Sequence, residues 1–157
     1  MSAWSDILDA SLAGREDSPH MAALRLPTLD GWERGRVWAR WEVESDFVIP
    51  LVGTLFGGYI AALADHLLAC AVFTVLEENE SFSTSELHTH FFHPVQEGIL
   101  QIEARVVTRG KRSAYCEARL TDSGGRLIAR AGATQMIRSV LRSSTIGASL
   151  SRESPGA

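Results

Sequence analysis

Apolar residues in this chain recur in three rhythms, and each predicts a different kind of element. Trp4, Ile7, Leu8 and Leu12 fall at helical spacing, so residues 3–14 read as a short amphipathic helix, with Ser5 or Asp6 to cap it and Gly14 to end it. The polar run Arg15-Glu16-Asp17-Ser18-Pro19 breaks that pattern. Ala22 to Leu29 and Gly35 to Val43 then read as two strands joined through Asp30-Gly31. In the second of these, Val37, Ala39, Trp41 and Val43 alternate with Arg36, Trp38, Arg40 and Glu42, which predicts a strand with one side on a core. Pro50 to Thr54 is a loop that leads into the glycine pair Gly57-Gly58.

The second rhythm is nearly continuous. From Gly58 to Leu76 the only ionisable side chains are Asp65, His66 and Cys70, and at ~1.5 Å per residue the run makes a helix of roughly 28 Å. A transmembrane reading fails. An acid at the centre of a span costs about 2.5 to 3.5 kcal/mol on insertion scales, and neither flank carries an orienting Lys/Arg excess. A helix that is apolar nearly all round is instead the buried helix of a globular domain, wrapped by a sheet or by a partner. Burying an ionised carboxylate without partners costs several kcal/mol, so Asp65 must have hydrogen-bond donors, titrate, or face a cleft.

The third rhythm follows the solvated link Glu77-Glu78-Asn79-Glu80. Strands are predicted at about 82–92, 99–108, 113–121 and 127–137, with turns at Arg109-Gly110-Lys111-Arg112 and Asp122-Ser123-Gly124-Gly125 that make antiparallel neighbours. Residues 139–157, rich in Ser, Arg and Gly, read as a disordered tail. The fold class is therefore α+β: an antiparallel β-sheet wrapped around one long central helix.

Composition narrows the function. A chain of 157 residues with net charge -4 and pI near 5.7 is one domain without a general nucleic-acid surface. Cys70 and Cys116 have neither zinc spacing nor a disulfide framework and read as inert core residues of a reducing compartment. The first residues, Met1-Ser2-Ala3-Trp4-Ser5-Asp6, carry no secretory signal pattern, so a cytoplasmic location is expected. His88 and His90 share one strand face at a spacing that can hold a metal. Further ligands would have to come from His66, Glu86 or Asp65, so exposed or hydrogen-bonded strand histidines are the preferred reading, and no metal or other cofactor is expected.

The ordered set Gly57-Gly58 with Leu63-Ala64-Asp65, then Thr84-Ser85-Glu86-Leu87, Phe91-Phe92-His93-Pro94, Gly98, Arg109-Gly110-Lys111-Arg112 and Asp122 to Ala129 resembles the hotdog-fold thioesterases. Within them it is similar to the phenylacetate-pathway, PaaI-like acyl-CoA thioesterases of the 4-hydroxybenzoyl-CoA thioesterase superfamily. The resemblance covers about 37–137 and implies a hotdog domain over 21–138, between an N-terminal helix and linker (1–20) and the tail (139–157). It also implies water-dependent hydrolysis of an acyl-CoA thioester. Gly57 would offer its backbone N–H to the oxyanion, Asp65 would act as general base or nucleophile, and Thr84 would orient the water or the acid. Phe56 and Gly58 would line the substrate mouth, and Arg109, Lys111 and Arg112 would meet coenzyme A phosphates.

Each residue also has a plainer use: a loop-ending glycine pair, a β-forming threonine, a solvated basic turn. Asp65 is the exception, because an acid among apolar helix neighbours has few structural uses. Two positions depart from the family pattern. Phe56 stands where a histidine is usual and Pro50 where an asparagine is common, which opens the alternative of a non-catalytic acyl-CoA-binding hotdog protein. A hotdog enoyl-thioester hydratase or dehydratase is a third reading. In those enzymes the His-Phe-Pro-type loop precedes the helix that bears the acid, whereas His90-Phe91-Phe92-His93-Pro94 follows it here. Finally, Gly57 and Asp65 are eight residues apart, ~12 Å along a helix, too far for both to act on one carbonyl. A homodimer, or a dimer of dimers, that shares each site between chains is therefore expected.

Overall fold

The computed structural model describes residues 3–15 and 18–140. Helix α1 (Ala3–Leu12) is followed by α2 (Pro19–Leu24), β1 (Gly31–Glu33), β2 (Arg36–Glu42), a 3-10 turn (Ser45–Phe47) and the two-residue strands β3 (Val48–Ile49) and β4 (Thr54–Leu55). Then come the long helix α3 (Gly57–Phe73) and strands β5 (Glu80–Phe91), β6 (Ile99–Arg109), β7 (Ser113–Thr121) and β8 (Leu127–Ser139). Six strands form one sheet in the order β1-β2-β6-β7-β8-β5, and every neighbouring pair is antiparallel.

Helix α3 lies across one face of this sheet, which is the architecture predicted from the hydrophobic pattern. Leu63, Ala64, Leu67, Leu68, Ala71 and Val72 are fully buried against the inward residues of the central strands, among them Leu100, Ile102, Cys116 and Leu120. Burial pushes the Cys116 thiol up to about 12, so it stays protonated core. No helix among the described residues is long and apolar enough to cross a membrane.

The helix ends three residues before the apolar run does. Thr74 caps it: its hydroxyl donates to the Ala71 carbonyl at 2.7 Å and accepts from the Gly35 amide at 2.7 Å. The end of α3 is thereby tied to the β1–β2 turn.

Two predictions fail between residues 22 and 35. The strand expected over 22–29 is instead helix α2 and the extended segment that leaves it. Ser18 sits at the N-cap and Pro19 in the first helical turn, a start signal that outweighs the β-propensity downstream. Arg25, left-handed at φ 49°, then stops the helix, and the Arg25 and Leu26 amides bond back to Ala22 and Met21. The hairpin expected at Asp30-Gly31 turns at Arg34-Gly35, where Gly35 takes φ 82°. Gly31 lies within β1, and it is glycine because a Cβ there would lie 2.2 Å from the Trp38 ring that covers it.

Helix α1 shares the core. Trp4 stacks on Phe73 with centroids 5.0 Å apart and donates to the Glu77 carbonyl at 3.0 Å, while Ser11 Oγ accepts from the Leu29 amide. Tyr59 joins α2 to α3: its hydroxyl donates to the Leu24 carbonyl at 2.8 Å and its ring stacks on Phe47 at 3.9 Å. The strands predicted after α3 all appear, extended by one or two residues at some ends and one residue short at the end of β5, with a bulge at Ser85 of β5. Strand β8 runs through Ser139; the predicted tail beyond Val140 lies outside the described residues.

Thr74→Val keeps the shape and removes both hydrogen bonds, leaving the Gly35 N–H without its acceptor. Unfolding free energy should fall by about 1–3 kcal/mol, read from the urea midpoint at unchanged slope. An unchanged midpoint would show that this link is dispensable.

Candidate active site

Sheet and helix together leave one strip of α3 uncovered. Tyr59, Ile60, Leu63, Ala64, Leu67, Leu68 and Cys70 are buried, whereas Ala61, Ala62, Asp65, His66 and Ala69 are only partly so. Beyond the strip stands β5, the edge of the sheet, most of whose residues are exposed. Its helix-side residues Leu87 and Phe91 remain open, 38% and 54% exposed.

Asp65 faces Thr84 of β5 across this strip. Desolvation raises the Asp65 carboxyl above the ordinary aspartate range, and a hydrogen bond from Thr84 and the charge of His66 oppose the rise. One carboxylate oxygen, Oδ1, is buried without a partner. Thr84 is held in turn by Gln135, its register partner on β8, with Thr84 Oγ1 and Gln135 Oε1 at 2.9 Å. Gln135 is completely buried, and its Nε2 has no acceptor. Since a hydroxyl carries one proton, Thr84 cannot donate to Gln135 and to Asp65 together. Turning the Gln135 amide over resolves that conflict, since Nε2 then donates to Thr84 Oγ1 and the Thr84 proton goes to Asp65, while the amide oxygen takes the unpartnered position.

Gln135 was missed in the sequence. The signal was there in the alternation of β8, where Ala131, Ala133 and Ile137 point inward and position 135 must point with them. A glutamine in that row is a buried polar group that needs a purpose.

Gly57 opens α3, and its amide has no intrahelical acceptor. Phe56 at the N-cap supplies no side-chain hydrogen bond; the first turn is left to the Tyr59 and Ile60 amides, which bond the Phe56 carbonyl. Two rings crowd this terminus. A Cβ on Gly58 would sit 2.5 Å from Phe56, so that position needs glycine or a shifted ring, whereas one on Gly57 would sit 3.4 Å from Phe91, in ordinary contact. Pro50 begins the turn that separates β3 from β4, completed by Gly53 at φ 67°.

Within one chain Gly57 and Asp65 are not brought together. Gly57 lies beside Phe91, near the end of β5, while Asp65 faces Thr84, seven positions earlier on the same strand. The basic turn is also divided. Arg109 pairs with Glu80 at the start of β5 and holds that carboxyl below its usual range. Lys111 and Arg112 are exposed, two to three residues along the chain from Ala114, the register partner of Gln135.

The histidines are dispersed. His66 Nε2 meets the Pro27 carbonyl at 3.0 Å and His93 Nδ1 the Leu127 carbonyl at 2.7 Å. His88 and His90 lie on the sheet face opposite the helix, away from Asp65. Among the described residues no three potential ligands cluster as a metal site.

Residues 52–129 match the family model of the thioesterase superfamily. The chain belongs to that superfamily. Its fold is the hotdog: an antiparallel sheet and a central helix, as in the solved thioesterase structures it resembles. One, an inferred thioesterase described as phenylacetic acid degradation-related, from Ralstonia eutropha JMP134, superposes with TM-score 0.72 at 28% identity, over 83% of this chain and 98% of that one. A thioesterase family protein from Silicibacter pomeroyi gives TM-score 0.74 at 26% identity, over 87% and 99%. An inferred esterase of Saccharolobus solfataricus is 32% identical over 85 residues, which is 54% of this chain and 56% of that protein. The match thus spans little more than half the length of that relative. Thioester hydrolase chemistry in general is what this membership supports.

The raised Asp65 carboxyl has a consequence for stability. A folded state that holds the proton more tightly than the unfolded chain loses stability as pH rises from the ordinary aspartate value through the folded one, so at neutral pH the ionised group destabilises the fold. Asp65→Asn removes that penalty. Urea unfolding should find the variant at least as stable as wild type at pH 7, with the difference shrinking towards pH 4. A pH-independent difference, or a variant less stable at pH 7, would show that the ionised carboxylate is well solvated or paired.

Proposed function

We propose that this chain hydrolyses acyl-CoA thioesters, with Asp65 as general base or nucleophile, Thr84 as the group that orients it, and the Gly57 amide as oxyanion donor. The observation that carries the reading is Asp65 itself: a partly desolvated carboxylate, with one oxygen unpartnered, beside a hydroxyl on the open side of a thioesterase-superfamily fold. Asp65 either removes a proton from water as that water attacks the carbonyl carbon, or attacks directly to give an anhydride that water then opens. Either way the carbonyl oxygen takes up negative charge, which an N–H at the positive end of α3 stabilises. The C–S bond breaks, and the thiolate of coenzyme A leaves and is protonated. The exposed rings of Phe56 and Phe91 beside Gly57 suit an apolar or aryl acyl group.

The site is completed by a second copy of the chain. Thr84 marks the acid and Phe91 marks the amide, and the midpoint between them on β5 falls near Leu87 and His88. A two-fold axis there, with β5 strands paired antiparallel, sets Thr84 and Asp65 of one chain opposite Phe91 and Gly57 of its partner, twice per dimer. The open edge of β5 and the uncovered strip of α3 support this arrangement.

The reaction is tested with a panel of acyl-CoAs, read by release of free thiol. Asp65→Asn should lower kcat about a hundredfold or more. Thr84→Val, which removes the hydrogen bond that favours the charged form, should move the acid limb of kcat/KM to higher pH. Near wild-type turnover in Asp65→Asn would make Asp65 structural and the mechanism wrong.

Sharing of the site is tested by mixing a Gly57→Pro chain with an Asp65→Asn chain. In a shared arrangement the heterodimer holds one doubly broken site and one intact site, so about half the activity returns. Isolated heterodimers as inactive as either parent would refute sharing, provided that Gly57→Pro folds and dimerises.

A further inference from the structure

On the face of the sheet opposite α3, charged residues from neighbouring strands form a row. His90, Arg130, Arg119 and Glu103 are successive register partners across β5, β8, β7 and β6. The adjacent row reads His88, Gly132, Glu117 and Arg105. All of these but Gly132 line a cavity of about 280 Å³.

The carboxylates in this cavity are already engaged. Glu103 pairs with Arg36 at 2.6 Å and Glu117 with Arg105 at 3.1 Å. Arg119 and Arg130 sit directly opposite one another, and among the described residues neither has an ion-pair or hydrogen-bond partner. Like charges at facing positions destabilise a sheet unless something between them compensates.

The floor of the cavity is also shaped. At Gly132 a Cβ would lie 2.3 Å from the Tyr115 hydroxyl and 2.7 Å from His88 Nε2, so two polar tips converge over a residue that has no side chain. The His88 ring lies nearly parallel to that of Tyr115 at 6.4 Å, with His90 edge-on to it at 5.8 Å.

We propose that this outer-face cavity binds a phosphate group, with Arg119 and Arg130 as the charged clamp and Tyr115 and His88 as donors at its floor. A tetrahedral dianion accepts hydrogen bonds on every oxygen and takes planar guanidinium forks from two sides, which suits facing arginines better than any neutral ligand. Because Arg105 and Arg36 hold the two glutamates, the clamp keeps two positive charges for the ligand. The sheet separates this cavity from Asp65, so it is distinct from the thioester site.

The test is thermal unfolding of the full chain in inorganic phosphate, with sodium chloride holding ionic strength constant. The expected result is a saturable rise in Tm of about 2–4 °C at roughly five times the half-saturating concentration. Arg119→Gln and Arg130→Gln, both at exposed positions, should abolish the rise; without phosphate they should be as stable as wild type or more so, since a repulsion is gone. Arg34→Gln, at an exposed position on the β1–β2 turn, should keep it. Adenosine 3′,5′-bisphosphate in place of phosphate separates the sources. Tighter half-saturation assigns the clamp to a nucleotide-borne phosphate monoester, and equal half-saturation to the free ion. A rise that grows without saturating, or that persists in both arginine variants, is a general salt effect and overturns the proposal. Arginine variants that change the sedimentation coefficient and leave the phosphate response untouched would make this face an interface between copies, which overturns it equally.

Discussion

A helix that is apolar all round has more surface to hide than one sheet can cover, and the remaining architecture answers that constraint. The six-stranded sheet takes the side of α3 that carries Leu63, Leu67, Leu68, Ala71 and Val72. Helix α1 covers its end through Trp4 and Phe73, and Tyr59 draws α2 over its beginning. The residual strip has mostly small side chains, with one acid and one histidine: Ala61, Ala62, Asp65, His66 and Ala69. A bulky apolar strip would favour collapse onto whatever was nearest; small residues leave space, and space beside a carboxylate can admit a substrate.

The polar groups near this strip carry a common signature. Asp65 Oδ1, Thr89 Oγ1 and Gln135 Nε2 are the buried side-chain atoms without a partner among the described residues. Asp65 and Gln135 both converge on Thr84, and Thr89 lies on the same face of β5. Unsatisfied polar atoms cost stability wherever they occur, and they persist where function requires them. Their clustering around Thr84 is what the proposed site would produce.

Much of this was legible in the chain because the two dominant signals are strong. A run of nineteen residues with one acid reads as a central helix, and β6 and β7 alternate buried with more exposed positions between turns that contain glycine. The segment before β1 was misread because apolar residues at 22–29 resemble a strand, and the deciding information was the Ser18-Pro19 start and the conformation of Arg25. The acid, the hydroxyl and the glycine became candidates through the family resemblance rather than through their spacing. The role of Gln135 depends on cross-strand register, which spacing along one segment does not show, whereas the separation of Gly57 from Asp65 already followed from eight residues of helix. Arg109 illustrates the same limit: its engagement with Glu80 joins residues far apart in sequence.

The two edges of the sheet are unequal. Strand β1 is three residues long, its Gly31 is roofed by the Trp38 indole, and the Arg36 guanidinium lies 5.2 Å over that ring. Strand β5 is twelve residues long and open. Polymerisation by strand addition requires a receptive edge at each end of every unit, so that each addition exposes a new one. Here an addition at β5 leaves only β1, too short and too well shielded to accept a further strand. A chain built this way can extend its sheet once and then has nowhere to grow, which lets it keep a long bare edge without becoming a fibre.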